Sequence, residues 1–425
     1  MTELKGMEYL KNKLAIKRGR VLERYRYYEM KNQVVDFQIS TPPELQWFMG
    51  TLGWCGKAVD SLADRLVFRK FANDVYQFND IYAQNNKDVL MDSAIVAALI
   101  SSCAFMHITE ENGVPKFRVI DGRHATGEID PTTNMLKEGY AVLEFDSNDN
   151  PIVEAYYIPG MTYIYEAGKV TMAVANHAPY PLLVPIIYRP DAVRPFGHSR
   201  ISRACMSIMN SAVRTVKRSE IAAEFFSYPQ KYVLGMSENA EKMDNWLASM
   251  SAMLRIDKDE DGDRPVVGQF QSQSMTPHTE LLRTFAGLFA GETGLTLDDL
   301  GFPSQNPSSA EAIKASHETL RLAARKAQRD FSVGFLNAGY LASCVRDRRS
   351  YDRSELANVE CKWEPIFEPD NSALTVIGDG IAKINAAVPG YINGETLRDM
   401  TGIEGSSADT ALDLQAVDRL LGTEE

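Results

Sequence analysis

The longest regular pattern of apolar residues in the chain runs from Ser308 to Val345. These residues recur at intervals of three, four and, once, seven, which places them on one face of a helix. They are Ile313, Leu320, Ala324, Ala327, Phe331, Phe335, Ala338 and Leu341. Ser308 and Glu311 have capping-box spacing, so we predict one helix of about 55 Å that crosses between regions. Gly334 and Gly339 indicate a bend or a close helix contact within it.

Two more helical patterns precede the long one and flank a small unit of mixed character. The first is predicted from a cap at Ser199 to about Phe226, and the second opens at Thr276-Pro277. Between them, residues 229–272 alternate strand, helix, strand and strand patterns. If the two helices pack together, they must run antiparallel, and a polar loop then joins the second to the long helix.

The region from residue 43 to 198 reads as helices followed by strands. Helices are predicted from Pro43 to about Leu52, around Val59–Leu66 and from Ile81 to Cys103. Alternating runs separated by Pro, Gly, Asn and Asp then predict an antiparallel sheet. A strand beginning at Val359 is expected to return to this sheet, and short helices follow it. The fold class is therefore α+β and helix-rich.

Composition fits a soluble protein of several domains. The chain has 425 residues, of which 44% are hydrophobic and 24% charged. Its formal net charge of −12 is opposite to that of a protein that grips nucleic acid by its phosphates. An acidic surface nevertheless suits a protein past which DNA must slide.

The cysteines and the apolar runs indicate the compartment. The five cysteines lie far apart with no paired spacing, so we expect reduced, packed thiols and a cytosolic compartment. Residues 1–20 carry charges throughout and lack a signal-peptide core. The longest apolar run, Ala94–Met106, is too short for a membrane span.

Candidate catalytic and metal motifs are weak. Asp257, Asp259, Asp261 and Gly262 match the first half of a calcium loop, but the twelfth position is Gly268 instead of glutamate. A solvated acidic turn is the favoured interpretation. Gly50–Ala58 lacks both the spacing and the hydroxyl of a phosphate-binding loop. We therefore predict no enzyme activity, no metal and no cofactor.

Two helices carry clusters of positive charge. The predicted helix at residues 4–32 contains Lys5, Lys11, Lys13, Lys17, Arg18, Arg20, Arg24 and Arg26. It is interpreted either as a solvated, partly docked terminal helix or as an arm that touches DNA or an acidic partner. The long helix carries Lys314, Arg321, Arg325, Lys326 and Arg329 against Glu318 and Asp330. These charges form a solvated face with local ion pairs or, if the molecule is a ring, they line a passage or pair with the neighbouring subunit.

The order of elements, together with three short motifs, resembles the bacteriophage portal protein family. Arg194–Ile201, with Gly197 and Ser199, resembles the family's Gly-x-Ser junction before its first stem helix. Ala222–Gly235 resembles the entry into the clip, and Gly301–Ile313 resembles the tunnel loop entering the long helix. The resemblance covers about residues 40–400.

The resemblance implies a portal-type division of the chain. Residues 1–198 would form an N-terminal arm and an α+β wing, 199–228 the first stem helix and 229–272 an α/β clip. Residues 273–297 would be the second stem helix, 298–308 the tunnel loop, 309–369 the long helix with a strand returning to the wing, and 370–425 a short helical crown.

The resemblance also implies roles for particular residues. The loop residues nearest DNA would be Asp298, Asp299, Phe302, Ser304, Gln305 and Asn306. Channel or inter-subunit charges would be Arg214, Lys217, Arg218, Lys314, Arg321, Arg325 and Arg329. The clip would meet the packaging motor through Lys231, Glu238, Glu241, Asp257, Asp259 and Asp261.

The implied assembly is a closed ring of about twelve copies at the capsid vertex, through which double-stranded DNA is packaged and ejected. Implied partners are the terminase large subunit, the head-tail connector, and the major capsid and scaffolding proteins, with no membrane. The protein would lie in the host cytoplasm during assembly and then in the virion. Two alternatives stay open at this point: another capsid or connector protein, and an enzyme using carboxylates of the α+β domain.

Overall fold

A computed structural model describes residues 4–35, 45, 47–148, 150–227, 231–234, 266–269, 274–303, 312, 315–367 and 371–403. Helices and antiparallel strands both contribute substantially, which confirms the α+β class. The predicted calcium-like turn, the clip helix at Glu238–Met253 and the last predicted helix, near 408–421, lie outside these residues.

The α-helices lie mainly at the two ends and in the middle of the described chain. They are α1 (Met7–Tyr28), α2 (Trp54–Ala63), α3 (Phe78–Ala83), α4 (Lys87–Ser101), α5 (Arg203–Ser227), α6 (Thr276–Thr293), α7 (Glu318–Arg346), α8 (Asn371–Ala387) and α9 (Gly394–Thr401).

The strands concentrate between α4 and α5. They are β1 (Phe68–Ala72), β2 (Cys103–Glu111), β3 (Val114–Asp121), β4 (Ala125–Ile129), β5 (Leu136–Phe145), β6 (Pro151–Ile158), β7 (Met161–Glu166), β8 (Lys169–Ala175), β9 (Leu183–Ile187), β10 (Lys231–Leu234), β11 (Val266–Gln269) and β12 (Glu360–Trp363).

All strand pairings in the described chain are antiparallel. One sheet has the order β4-β5-β6-β7-β8 and a second has the order β3-β2-β9. Two pairs stand apart, β1 with β12 and β10 with β11. The expectation of one sheet in this region is therefore wrong, because β9 returns beside β2 and closes a separate three-stranded sheet.

The chain divides into two compact units. The first, which we call the sheet unit, comprises Met1–Tyr25, Val59–Arg200 and Glu318–Glu425. The second, which we call the helix-pair unit, comprises Arg26–Ala58 and Ile201–His317.

Helix α7 forms the centre of the sheet unit. It packs against β9, β2, β3 and α3. The apolar face predicted from the sequence is confirmed, since its described members are fully buried: Leu320, Ala324, Ala327, Phe331, Phe335, Ala338 and Leu341. This face supplies most of the helix's contribution to the hydrophobic core.

The two glycines of α7 mark close packing instead of a bend. A Cβ at Gly334 would lie 2.6 Å from Ile186 Cδ1 and 3.2 Å from the carbonyl oxygen of Pro185 on β9. A Cβ at Gly339 would lie 3.0 Å from the ring of Phe78 on α3. The helix is continuous through both positions. Glycine therefore lets β9 and α3 approach the α7 backbone directly.

The predicted extent of the long helix is partly wrong. Helical residues occur before it, but a turn at His317 interrupts the pattern, and α7 begins at Glu318. It lies entirely in the sheet unit, so it does not cross between regions. In the sequence, the apolar pattern has a seven-residue interval between Ile313 and Leu320, so it is weakest around His317, where the turn occurs.

Aromatic rings join α7 to the β1–β12 pair. Phe68 on β1 lies 5.9 Å from Phe335 and 5.6 Å from Trp363, measured between ring centroids. Strand β1 was missed in the sequence, and β12 pairs with it instead of with the larger sheets. The Phe68–Ala72 segment is too short for its period to identify a strand.

Two predicted helices in the N-terminal half differ from the structure. Residues 48–53 are irregular, so the expectation of a helix from Pro43 to Leu52 is wrong over these residues. The helix predicted from Ile81 to Cys103 is two helices separated at Gln84–Asn86, where Asn86 has a φ of 50°. Left-handed backbone at such a residue ends one helix and starts the next.

Helix α1 docks its first half on the five-stranded sheet. The buried carboxylate of Glu138 accepts the backbone N–H groups of Lys5 at 2.9 Å and Gly6 at 3.0 Å. Lys11 pairs with Glu154 at 3.0 Å, and Lys13 pairs with Glu128 at 2.5 Å. The partly docked interpretation therefore holds for this half of the helix.

We predict opposite effects for two Gly→Ala substitutions in helices of the sheet unit. Gly334→Ala should lower the free energy of unfolding by about 1–3 kcal/mol, because its methyl group meets the β9 backbone. Gly378→Ala on α8 meets nothing within 4 Å and should raise it by about 0.5–1 kcal/mol. Urea unfolding followed by circular dichroism would measure both. Equal stabilisation by the two would contradict close packing at Gly334.

Candidate nucleic-acid interface

Helices α5 and α6 form an antiparallel pair within the helix-pair unit. Ser202, just before α5, donates its hydroxyl to Glu292 near the end of α6 at 2.7 Å. At the opposite ends, β10 follows α5 and β11 precedes α6, and the two strands pair with Lys231 opposite Gln269. The two helices therefore run antiparallel, as the pattern predicted. Of the mixed unit predicted between them, the structure describes β10 and β11.

The start of α5 differs from the prediction. Ser199 does not cap this helix, because its buried hydroxyl donates to the carbonyl of Ile100 at 2.6 Å. Ser202 takes the capping role and accepts the N–H of Cys205 at 3.1 Å. The helix accordingly begins at Arg203. Ser199, three residues before Ser202, instead forms a hydrogen bond to a carbonyl near the end of α4.

The cations of α5 are less exposed than predicted. A channel or inter-subunit role for Lys217 requires an outward side chain, and this expectation is wrong in the structure, since Lys217 is only 5% exposed. Arg214 and Arg218 are half-buried. The backbone at Gly50 covers this side of the helix, since a Cβ there would lie 3.2 Å from the Val213 carbonyl oxygen and 3.4 Å from Lys217 N. The sequence pattern of α5 alone does not predict that the backbone at Gly50 covers it.

The segment after α6 folds back on itself. Gly294 ends the helix with a φ of 71°, and Leu295 and Leu300 are buried. Asp299 accepts both the N–H and the hydroxyl of Thr296 at 2.9 Å, so its carboxylate holds the turn together.

The rest of the predicted DNA-facing loop is only partly described. Asp298 is exposed and Phe302 is half-buried. Ser304, Gln305 and Asn306 lie outside the described residues. Among the predicted loop residues that the structure describes, Asp298 is therefore the exposed acidic residue.

The cations of α7 fall into two groups. Arg321 donates two hydrogen bonds to Glu318, at 2.7 and 2.6 Å, and these hydrogen bonds lower the pKa of the Glu318 carboxyl. Arg325 and Arg329 are exposed, and neither has an ion pair within 4 Å among the residues the structure describes. The predicted Lys314 lies outside the described chain.

Arg325 and Arg329 border one groove on the sheet unit. The groove has a volume of about 470 Å³, and its other lining residues are Leu322, Gln328, Ser332, Cys361 and Trp363. Trp363 is held by a hydrogen bond from its indole nitrogen to the Ser332 hydroxyl at 2.9 Å. Two guanidinium groups one helical turn apart, beside a fixed indole ring, can bind phosphate oxygens and stack on a planar group.

Trp363 was not predicted as part of a functional surface. It reaches α7 because β12 pairs with β1, and that pairing is a long-range contact without a local sequence signal. Arg325 and Arg329, by contrast, follow from helical spacing alone.

Most of the predicted clip contacts lie outside the residues that the structure describes. Lys231 opens β10, whereas Glu238, Glu241, Asp257, Asp259 and Asp261 are not among the described residues.

The described part of the chain offers few other groups that could bind a metal ion or react chemically. It holds no group of three or more His, Cys, Asp or Glu side chains arranged to bind a metal ion. The cysteines are free thiols, as predicted, and four of the five are buried. Burial raises the pKa of Cys103 to about 12 and lowers that of His107 to about 4. Among the described helices, none is long and apolar enough to cross a bilayer.

In sequence, the chain is similar to known proteins of one class. No protein-family model matches it. It is 24% identical over 319 residues to the proteins named "Portal protein" of Mycobacterium phage L5 and of Mycobacterium phage D29. The match covers 69% of this chain and 65% of each relative, slightly less than two thirds of their length. These relatives confirm the resemblance to phage portal proteins found in the sequence.

Two matches among solved structures come from gene transfer agent (GTA) particles. A chain from the virion of the native particle has a TM-score of 0.44 at 16% identity, and the match covers 83% of this chain and 90% of that one. A chain from the neck of the native particle, computed with C12 symmetry, has a TM-score of 0.45 at 16% identity, with 91% and 100% covered.

We predict that the exposed arginines of α7 contribute to polyanion binding and that the paired one does not. Arg325→Gln should reduce the slope of log affinity against log salt for duplex DNA by about 1, and Arg325→Gln with Arg329→Gln by about 2. Arg321→Gln is the matched control, because Glu318 already neutralises Arg321. Fluorescence anisotropy of labelled DNA at low salt would measure the slopes. An equal effect of Arg321→Gln would contradict the assignment.

Proposed function

We propose that this protein is a portal subunit. About twelve copies would form a closed ring at the capsid vertex, through which double-stranded DNA enters and leaves. The observation that carries the proposal is the similarity over 319 residues to two phage portal proteins. The role is structural, without catalytic activity or a cofactor.

The helix-pair unit supports a channel role. Antiparallel α5 and α6 would supply a stiff rod, and the small pair of strands at one end, β10 with β11, would belong to a clip at residues 229–272. At the other end, the predicted loop 298–308 would project toward DNA, with Asp298, Phe302, Ser304, Gln305 and Asn306 as its contact residues. The buried Leu295 and Leu300 would anchor that loop to the rod.

The charge distribution suits passage of DNA. A channel that paired strongly with phosphates would stall the moving duplex, since each phosphate contact adds to affinity. This chain has a net charge of −12, and the cations of α5 are largely covered. Sparse exposed cations such as Arg325 and Arg329 would then act at subunit contacts or as weak guides.

The partners follow from the proposed ring. The clip would dock the terminase large subunit during filling and the head-tail connector afterwards, through Lys231, Glu238, Glu241, Asp257, Asp259 and Asp261. The sheet unit would supply most of the wing, and the major capsid and scaffolding proteins would surround it. The subunit would occupy the host cytoplasm during assembly and the capsid vertex in the virion.

The assembly state tests the proposal. Purified protein should give rings with a central hole in negative-stain images and a particle mass about twelve times that of one chain. Discrete monomers that bind other virion proteins without forming rings would favour a different connector component and contradict the portal assignment.

We predict that the loop acts after assembly. Deleting Phe302–Pro307 should leave ring formation unchanged, because the buried anchors Leu295 and Leu300 precede the deletion. It should impair genome filling or retention. Ring formation is checked by particle mass, and filling by the DNA content of purified heads. Replacing the same residues with a Gly-Ser segment of equal length separates loop length from side-chain chemistry, and normal DNA-filled heads from the deletion would refute the assigned role.

A further inference from the structure

The sheet unit contains a cavity that none of the roles above uses. Its volume is about 340 Å³, and it lies between α1 and the segment Val193–Ser199. Helix α1 presents Lys13, Lys17, Arg20 and Arg24 to the cavity. These residues are spaced four, three and four apart, so they share one face of the helix.

Positive charge on the cavity wall exceeds negative charge. Glu128 is the carboxylate on this wall among the described residues, and it is already shared between Lys13 at 2.5 Å and Lys5 at 3.3 Å. The side chains of Lys17 and Arg20 form neither an ion pair nor a hydrogen bond with any part of the described chain. Partial burial, together with the charges of Lys13 and Arg20, lowers the pKa of Lys17. Bound negative charge would relieve this repulsion.

The opposite wall is held rigidly. Asp191 accepts the N–H groups of Val193 at 2.8 Å and Arg194 at 2.6 Å, and it also binds His198 at 2.6 Å. Gly197 is required here, because it has a φ of 74° and a Cβ would lie 2.1 Å from the Tyr188 carbonyl oxygen. This wall therefore holds the backbone of Arg194 in place at the cavity before any ligand arrives.

Two further features favour a ligand site over a packing defect. Phe105 and Phe196 also line the cavity, so the positive groups stand beside apolar rings. Ser102 on its wall has a φ of 86°, a strained conformation for a residue with a side chain. A cavity of this size, with a few converging charged groups beside aromatic rings, is typical of small-ligand sites.

We propose that this cavity binds phosphate groups, with Lys17, Arg20 and Arg194 as the principal contacts. Guanidinium and ammonium groups donate charge-assisted hydrogen bonds to phosphate oxygens. The Lys13 ammonium lies over the Phe196 ring, 5.1 Å from its centroid, and adds a further positive charge beside these groups. The phosphates come either from a free polyphosphate or from the backbone of a nucleic acid. The cavity is distinct from the α7 groove, and the inference does not depend on ring formation.

The test is titration of the full-length protein with inorganic pyrophosphate and, separately, with a short single-stranded oligonucleotide, followed by calorimetry. Lys17→Gln with Arg20→Gln removes two charged donors and should weaken binding by at least about tenfold, because the loss of even one charge-assisted hydrogen bond costs about that much. Arg194→Gln, on the opposite wall, should weaken it independently. Unchanged circular dichroism melting would show that the variants fold.

The matched control removes two positive charges elsewhere. Arg26 and Lys169 are exposed and do not line the cavity, so Arg26→Gln with Lys169→Gln should leave binding within about twofold. Binding of pyrophosphate at least as strong as that of the oligonucleotide would identify a free polyphosphate as the ligand, and binding of the oligonucleotide alone would identify a nucleic-acid backbone. Equal losses in the control and cavity variants, or no binding of either probe, would overturn the proposal.

Discussion

The contact on which the sheet unit depends is the approach of the α7 backbone to β9. With Gly334 facing Pro185 and Ile186, there is no side chain between helix and strand, so the helix lies directly on the three-stranded sheet. The flanking residues Phe331 and Phe335 then fill the space on either side and are fully buried. Because glycine costs helix stability, its presence here shows that close packing contributes more than local propensity.

This contact also fixes where the charges of α7 lie. Once one face of a helix is committed to the sheet, its remaining side chains take set directions at about 100° per residue. Arg325 and Arg329 therefore face solvent together, and the β1–β12 pair brings Trp363 beside them. The groove is thus a consequence of packing in the core. A shift of α7 on the sheet would move both arginines relative to the indole ring.

The sequence predicted the parts of the fold that have a long local period. The buried face of α7, the helix after Pro277 and the order of helix, β-pair and returning helix all follow from local patterns. The short strand β1 and its pairing with β12 did not, because the pairing joins segments about 290 residues apart that carry no mutual signal. For the same reason, the charges on α7 could be predicted, whereas the covering of Lys217 and the meeting of α1 with Val193–Ser199 could not.

The α7 groove and the cavity beside α1 are positively charged, whereas the chain as a whole is acidic. This difference determines how the sheet unit would contact a polyanion. Each holds two or three cations without ion-pair partners among the described residues, too few for tight binding at physiological salt. Small groups of this kind bind and release quickly, and repetition in a closed assembly would add their effects without making any one contact slow. A chain with a net charge of −12 that concentrates a few cations in defined places would therefore combine weak, reversible phosphate contacts with general repulsion elsewhere.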